Sequence, residues 1–267
     1  MAAAKGKPCR SWAEKTGGLA LLAAGLLAMA DPQLAILPLA LFLLACLIAP
    51  FLPRSSFFLP VISRGRPQTQ AIAITIDDGP SPASTPLLLD LLAQYRLPAT
   101  FFVLGDLAAA HPELIRQILA AGHSIGNHSS RHDPLLVLRR HRNLLADIDK
   151  TQQILARIGI RPLLFRPPIG ITSPRLQPVL ASLDLTAVTF SCRIFDRGNR
   201  DIRNLAARVL QRLQPGDIIL LHDLLPPNEG SIANWRQELH TLFSALSTNH
   251  QVVPLAELIG RPVMTRS

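Results

Sequence analysis

The most constraining feature of this 267-residue chain is an apolar segment that ends in two adjacent carboxylates. Ala71–Ile76 consists of alanine, isoleucine and one threonine, a composition typical of a parallel strand buried on both faces. Asp77 and Asp78 follow it, and a Gly-Pro pair then breaks the strand. Because α/β sheets and barrels build their active sites at the carboxyl ends of parallel strands, this segment predicts an α/β fold with chemistry at that edge.

A pair of histidines with metal-ligand spacing follows about fifty residues later. His128 and His132 are four residues apart, so one helical turn would place both imidazoles on the same side. Two imidazoles and one carboxylate, from Asp77 or Asp78, leave a divalent cation with open positions, as in catalytic zinc sites. The alternative is that two histidines in a polar loop are simply solvated.

Two further apolar segments end in polar residues in the same way. Leu163–Gly170 stops in a proline-rich turn that carries Arg166, and Gly216–Asp223 ends in His222. Four strand ends with complementary polar groups are typical of one composite catalytic site rather than of four unrelated turns.

Strand and helix patterns alternate along the chain, which favours parallel βαβ units. The seven predicted strands are Ala71–Ile76, Thr100–Leu104, Ser124–Asn127, Leu163–Phe165, Leu185–Phe190, Ile218–Leu221 and Val252–Val253.

The segment from Ala71 to Leu258 resembles the polysaccharide deacetylases with a NodB-homology domain, carbohydrate esterase family four. In that family the first motif, here Asp77-Asp78-Gly79-Pro80, supplies the catalytic base and then a metal ligand. The resemblance therefore implies Asp77 as base and Asp78, His128 and His132 as the metal ligands.

The remaining motifs extend the resemblance to the other strand ends. Arg166 would orient the base, and the backbone N–H of Ile169 would help to hold the oxyanion. His222 would be the general acid, and Leu220 would line the pocket for the acyl group.

The fourth motif departs from the family pattern, which often has Trp-Ser followed by Asp-x-x-Asp-Trp. Asp196 is retained and would tune His222, but Arg193 and Arg197 stand where the family has an Asp and a Trp. The loss of the Trp puts an ordinary N-acetyl sugar polymer in doubt. The two arginines are either surface residues or contacts for a phosphate or other anion of the substrate, with Arg197 as a substrate-binding residue.

The resemblance implies a distorted seven-stranded (β/α) barrel that acts on carbon–nitrogen bonds other than peptide bonds. The expected cofactor is a divalent metal, Zn²⁺ first and Co²⁺, Ni²⁺ or Mn²⁺ as alternatives. The expected reaction removes an acetyl or formyl group from an amino sugar of a polysaccharide, an oligosaccharide or a polyprenyl-phosphate-linked glycan. The rival hypothesis is a non-catalytic carbohydrate- or glycolipid-binding membrane protein on the same barrel.

The N-terminal part predicts a membrane anchor ahead of the barrel. Between Thr16 and Pro53 the only formal charge is Asp31, and this stretch exceeds one span of about 20 residues. We therefore expect a transmembrane helical hairpin with spans near 17–30 and 34–52. The expected organisation is an anchor over 1–53, a linker over 54–69 and a deacetylase domain over 70–267. A signal peptide cleaved near Ala28-Met29-Ala30 is the alternative.

The distribution of charge and the number of cysteines indicate where the protein is located and what it binds. Lysine and arginine residues flank the hairpin at both ends and not in its turn, so the positive-inside rule places the catalytic domain on the cytoplasmic face of the inner membrane. The three cysteines give no disulfide framework. The net charge of +9 favours anionic membrane lipid as a partner. Nucleic acid is not expected, because the arginines are scattered and aromatic residues are few.

Overall fold

The centre of the molecule is a curled sheet of seven parallel strands, an open half-barrel. The structure is a computed structural model that describes residues 11–194, 196 and 198–266. The strands of this sheet are β1 Val61–Ile62, β2 Ala73–Asp77, β3 Ala99–Val103, β4 Ser124–Asn127, β6 Leu164–Phe165, β7 Thr186–Val188 and β8 Ile218–His222. Their spatial order is β1-β7-β6-β4-β3-β2-β8, and all neighbours pair in parallel. A separate antiparallel pair joins β5 Ile160–Pro162 to β9 Met264–Arg266.

The seven-stranded α/β architecture confirms the predicted fold class, but one predicted strand was wrong. Val252–Val253 makes only an isolated bridge to Ile72, because Pro254 directly follows and begins the next helix. The seventh strand is instead β1, inside the segment expected to be a linker, and it pairs with β7. A two-residue strand has too little alternation to be recognised from sequence.

The first two helices form an N-terminal hairpin, and the others pack around the sheet. Within the described residues the helices are α1 Trp12–Ala28, α2 Ile36–Ile48, α3 Thr85–Gln94, α4 Gly105–Ala110, α5 Pro112–Ala120, α6 His141–Ala156, α7 Leu176–Ser182, α8 Leu205–Leu210, α9 Glu229–Asn249 and α10 Leu255–Ile259. Adjacent strand residues face opposite sides. Phe101 therefore packs outward with Trp235 and Phe243 of α9, whereas Phe102 points into the barrel interior with Leu164.

The N-terminal segment forms a hairpin of two helices, α1 and α2. A capping box between Ser11 and Glu14 begins α1, with Ser11 N donating to Glu14 Oε2 at 2.8 Å and Glu14 N donating to Ser11 Oγ at 3.2 Å. Gly17 lets the helices approach closely, since a Cβ there would lie 2.9 Å from Phe42 Cζ. Neither helix, nor any other among the described residues, combines the length and apolar character needed to span a membrane. The predicted transmembrane spans are therefore not supported, since α1 and α2 are 17 and 13 residues long.

Candidate active site and metal centre

The register of the parallel strands brings the polar strand ends to one edge of the sheet. Asp77, the last residue of β2, is paired with His222 on β8. Asn127 of β4 pairs with Phe165 of β6, so the residues that follow them, His128 and Arg166, also leave the sheet at this edge. The grouping of these residues follows directly from the parallel strand order.

Asp78, His128 and His132, the predicted metal ligands, lie within 4.8 Å of one another through one potential ligand atom each. The Nε2 atoms of His128 and His132 both lie 3.4 Å from Asp78 Oδ1. The His128–His132 segment is a loop rather than the helical turn that the sequence suggested. Its backbone is left-handed at His132 (φ 55°), and His132 N donates to the Ser129 hydroxyl at 3.1 Å. A left-handed backbone at a residue other than glycine is strained and is typical of functional sites.

The protonation of His128 is set by its neighbour on the far side of the ring. Its Nδ1 lies 2.8 Å from the carbonyl oxygen of Arg166. Because a carbonyl can only accept, Nδ1 carries a proton, and Nε2 is the ring nitrogen left to ligate a cation beside Asp78. Asp78 Oδ1 is itself buried, and none of the described residues donates a hydrogen bond to it.

This donor set fits a divalent cation. Two ligand atoms at zinc–ligand distances of about 2.0–2.1 Å and a tetrahedral angle lie roughly 3.3 Å apart, close to the observed separations. The carbonyl behind His128 is the outer partner that metal-binding histidines commonly have. A cation would also give a partner to the buried Asp78 Oδ1, to which none of the described residues donates a hydrogen bond.

The electrostatics of the three groups agree with this interpretation. Burial acts to raise the pKa of the Asp78 carboxyl, but the surrounding histidines, chiefly His128, lower it to about 2. Burial lowers the pKa of His132, which favours the neutral, ligating form. Burial also acts to lower the pKa of His128, but the charges of Asp77 and Asp78 outweigh burial and raise it. The pocket between these groups therefore attracts positive charge.

Asp77 is held by a buried arginine. Nη1 of Arg166 donates to Asp77 Oδ1 at 2.7 Å and to the Thr75 hydroxyl at 2.7 Å, and Nη2 donates to the Thr189 carbonyl at 2.8 Å. The guanidinium also stacks 4.0 Å from the centre of the Phe102 ring. Burial lowers the pKa of Arg166, and the charge of Asp77 opposes that shift. The other carboxylate oxygen, Asp77 Oδ2, lies 3.8 Å from Nε2 of His128 and is directed towards the metal ligands.

His222, the last residue of β8, forms a second hydrogen-bonded pair with Asp196. His222 Nδ1 lies 2.9 Å from Asp196 Oδ2, and both side chains are largely buried. Burial acts to lower the pKa of His222, but the hydrogen bond and charge of Asp196 outweigh burial and raise it. The arrangement favours the protonated form of His222, the form that a proton donor requires.

One cavity of about 490 Å³ is lined by Asp77, Asp78, His128, His132 and His222. Ile169 and Leu220, the predicted oxyanion and acyl-pocket residues, contribute to its wall, and Ile169 has a left-handed backbone (φ 52°) in a 3₁₀ turn. Arg193 of the altered fourth motif also lines it. Arg197, predicted to bind substrate, lies outside the described residues.

A buried carboxylate next to His222 was missed by the sequence reasoning. Asp223 accepts hydrogen bonds from Ser84 Oγ at 2.6 Å and Thr85 Oγ1 at 2.5 Å, and its own N–H donates to the Asp77 carbonyl at 2.7 Å. A Cβ on Gly79 would lie 2.2 Å from Asp223 Oδ2. Asp223 thus fixes the turn that carries Asp77 and Asp78. The only sequence signal was its place after His222.

Comparison with known proteins agrees with this geometry. The family model described as polysaccharide deacetylase matches residues 64–188. A chitooligosaccharide deacetylase of Sinorhizobium fredii is 36% identical over 175 residues, which are 64% of this chain and 80% of that protein. A peptidoglycan-N-acetylglucosamine deacetylase of Bacillus cereus is 36% identical over 154 residues, which are 57% of this chain and 72% of that protein.

A solved structure supports the same assignment. The crystal structure of a peptidoglycan N-acetylglucosamine deacetylase superposes with a TM-score of 0.67 at 28% identity and covers 76% of this chain and 94% of that one. The chain therefore belongs to the polysaccharide deacetylase family, carbohydrate esterase family four with its NodB-homology domain, and is a hydrolase of carbon–nitrogen bonds other than peptide bonds.

Proposed function

We propose that the protein is a metal-dependent deacylase that removes an acetyl or formyl group from the nitrogen of an amino sugar. The observation that carries this proposal is the convergence of three elements on one cavity. These are the ligand set Asp78, His128 and His132, the Asp77–Arg166 pair, and the His222–Asp196 pair.

Asp78, His128 and His132 would hold the metal, with Zn²⁺ as the first choice for two imidazoles and one carboxylate and Co²⁺, Ni²⁺ or Mn²⁺ as alternatives. When bound, such an ion supplies a Lewis acid that polarises the amide carbonyl and lowers the pKa of water. The buried Asp78 Oδ1 and the Nε2 atom of His128 are the features that support this assignment.

The two pairs would divide the proton transfers. Asp77 Oδ2 faces the ligands and accepts the proton of the attacking water, while Arg166 holds Oδ1 in place through its 2.7 Å hydrogen bond. The raised pKa of His222 keeps a proton ready for the departing amine, and Asp196 steadies the imidazolium. The backbone N–H of Ile169 would donate a hydrogen bond to the oxyanion and stabilise it. General acid–base steps of this kind are each worth about 10²–10⁴ in rate.

The relatives support an amino-sugar glycan as the substrate. Those compared above are named for deacetylation of chitooligosaccharide and of N-acetylglucosamine in peptidoglycan. The acyl group would lie against Leu220 in the cavity wall. A lipid-linked amino sugar is the alternative substrate, because Arg193 lines the same cavity and guanidinium groups pair well with phosphate.

We further propose that the N-terminal hairpin attaches the domain to the cytoplasmic face of the inner membrane. Its helices expose a nearly continuous set of large apolar side chains, among them Leu21, Leu37 and Leu47. Such a surface favours lipid over water. The lysine and arginine residues that flank the hairpin favour anionic lipid headgroups, which the cytoplasmic leaflet carries.

The direct test is hydrolysis by purified, zinc-loaded protein of N-acetylated chitooligosaccharides, with acetate release as the readout. Turnover that disappears in Asp77→Asn, while metal content is retained, supports the proposal. Glycan binding without any hydrolysis of N-acetyl or N-formyl amino sugars would contradict it and favour the non-catalytic alternative.

A further inference from the structure

A second cavity, of about 540 Å³, lies between the end of the hairpin and the mouth of the barrel. One wall comes from the segment that follows α2, with Phe51, Leu52 and Pro53, and the other from the barrel, with Ile169 and Phe190. Its lining is therefore mostly aliphatic and aromatic. We call this cavity the hairpin groove.

The hairpin groove adjoins the catalytic cavity. Ile169, Phe190 and Arg193 line both. A molecule with its reactive group beside the metal ligands could therefore extend an attached apolar portion past Ile169 into the groove.

Specific contacts fix the segment that forms the outer wall. The Thr189 hydroxyl donates to the Pro53 carbonyl at 2.6 Å, and Thr172 N donates to the Pro50 carbonyl at 3.4 Å. Arg54 also donates from Nη2 to the Ser191 carbonyl. The same Thr189 accepts from the catalytic-site Arg166 through its own carbonyl. The groove is thus part of the architecture of the site.

Large apolar side chains are exposed both in the hairpin and at the mouth of the site. Among the residues that the structure describes, large hydrophobic side chains that are exposed fall only in the hairpin, between Trp12 and Leu52, and at Leu135, Leu138 and Ile169. Leu135 directly follows Pro134, which lines the catalytic cavity. The mouth of the site and the hairpin therefore both expose large apolar side chains, as a surface that meets lipid would.

Positive charge lies where the two cavities meet. Arg54 and Arg193 both line the groove, and Arg193 also lines the catalytic cavity. An apolar tail in the groove and an amino sugar at the metal ligands would place a linking phosphate beside these guanidinium groups. A long glycan would instead need polar partners along the groove, and its apolar wall offers few.

We propose that the hairpin groove binds the isoprenoid chain of a phosphate-linked amino sugar, so that the enzyme deacylates a lipid-linked sugar at the membrane surface. This inference rests on the proposed function, because it names the substrate of the same site. Burial of each methylene of the chain is worth about 0.8 kcal/mol, so a few ordered methylenes would raise affinity by one to two orders of magnitude.

The first test measures binding, independently of turnover. The probe is farnesyl phosphate, titrated into the full-length, detergent-solubilised protein by calorimetry, with inorganic phosphate and farnesol as comparators. The groove variant is Leu52→Glu, and the control is Leu44→Glu, a hairpin residue of similar exposure outside the groove. We expect farnesyl phosphate to bind at least tenfold more tightly than either comparator and Leu52→Glu alone to lose that advantage. Equal affinities, or equal loss in both variants, would overturn the proposal.

The second test measures turnover of an N-acetyl and an N-formyl amino sugar 1-phosphate, each with and without a farnesyl chain. We expect kcat/KM to be at least tenfold higher for the farnesylated substrates in the wild type and in Leu44→Glu, and this ratio to fall towards one in Leu52→Glu. Equal kcat/KM for the substrates with and without a farnesyl chain would contradict the groove assignment but not the proposed deacylase activity. Tight, groove-dependent farnesyl phosphate binding with no hydrolysis of any substrate would instead sink the proposed function.

Discussion

Removal of the Asp196 carboxylate should shift the pH dependence of catalysis through His222. The two groups share a 2.9 Å hydrogen bond in a largely buried setting, and Asp196 is the foremost cause that raises the pKa of His222 against its burial. In Asp196→Asn the charged acceptor becomes a neutral amide of the same shape. The change from a charge-assisted to a neutral hydrogen bond costs about 1–2 kcal/mol, which corresponds to a fall of about one pKa unit.

The sign of the effect follows from the role of His222 as the proton donor. The kcat is highest while His222 is protonated, and it falls as the pH rises through the pKa of His222. A lowered pKa therefore moves the basic limb of the kcat profile to lower pH by about one unit. Above that limb the variant should be about tenfold slower than the wild type, and well below it the two rates should converge.

The assay is a kcat–pH profile, supported by NMR titration of His222 in the metal-free protein. Asp201→Asn is the matched control, since Asp201 lies in the same loop but pairs with Arg203 and Arg208 at the surface. The control should leave the profile unchanged. A basic limb and an NMR pKa that stay in place in Asp196→Asn would refute the reasoning.

Three further outcomes are expected. His128→Ala and His132→Ala should each lose bound metal while circular dichroism stays native, because a loop at the sheet edge can lose an imidazole without opening the core; stoichiometric metal by elemental analysis would contradict this. Gly79→Ala should lower the free energy of unfolding by about 1–3 kcal/mol in urea titrations, since the new methyl would collide with the fixed Asp223 carboxylate; an unchanged midpoint would count against a rigid turn. A reporter fused after Ser267 should read cytoplasmic, and strong alkaline phosphatase activity would reverse the proposed topology.

Much of the site could be predicted, because polar residues recur at the ends of apolar segments and parallel strand order brings those ends together. Each of the apolar segments at Asp77, His128, Arg166 and His222 ends in a polar residue, and parallel pairing necessarily brings such ends to one edge. The apolar periodicity predicts where the strands end, and the parallel pairing of the strands brings those ends together. The division of roles between Asp77 and Asp78 came from the family resemblance, since strand geometry alone allowed either order.

The parts that escaped prediction depend on tertiary contacts. The His128–His132 loop takes its shape from left-handed residues and the Ser129 side chain rather than from a helical turn. The strand β1 is too short to show a period. Asp223 has a role only because folding brings Ser84 and Thr85 to it from a distant segment.

The hairpin shows a different limit of sequence reasoning. The apolar stretch from Thr16 to Pro53 was interpreted as two transmembrane spans, but α1 and α2 divide it into shorter helices whose end joins the mouth of the barrel. Hydropathy records the preference for an apolar environment and contains no information on this junction.

Metal content and turnover measured side by side on Asp77→Asn and Asp78→Asn test the assignment of the site most directly. Asp77 is held by Arg166 away from the ligand atoms through Oδ1, whereas Asp78 Oδ1 lies 3.4 Å from both imidazoles. Asp77→Asn should therefore keep about one metal per protein and lose most of its hydrolysis, while Asp78→Asn should bind metal weakly. Loss of metal in Asp77→Asn together with its retention in Asp78→Asn would show that the two roles are reversed, and full activity in both would contradict the proposed mechanism altogether.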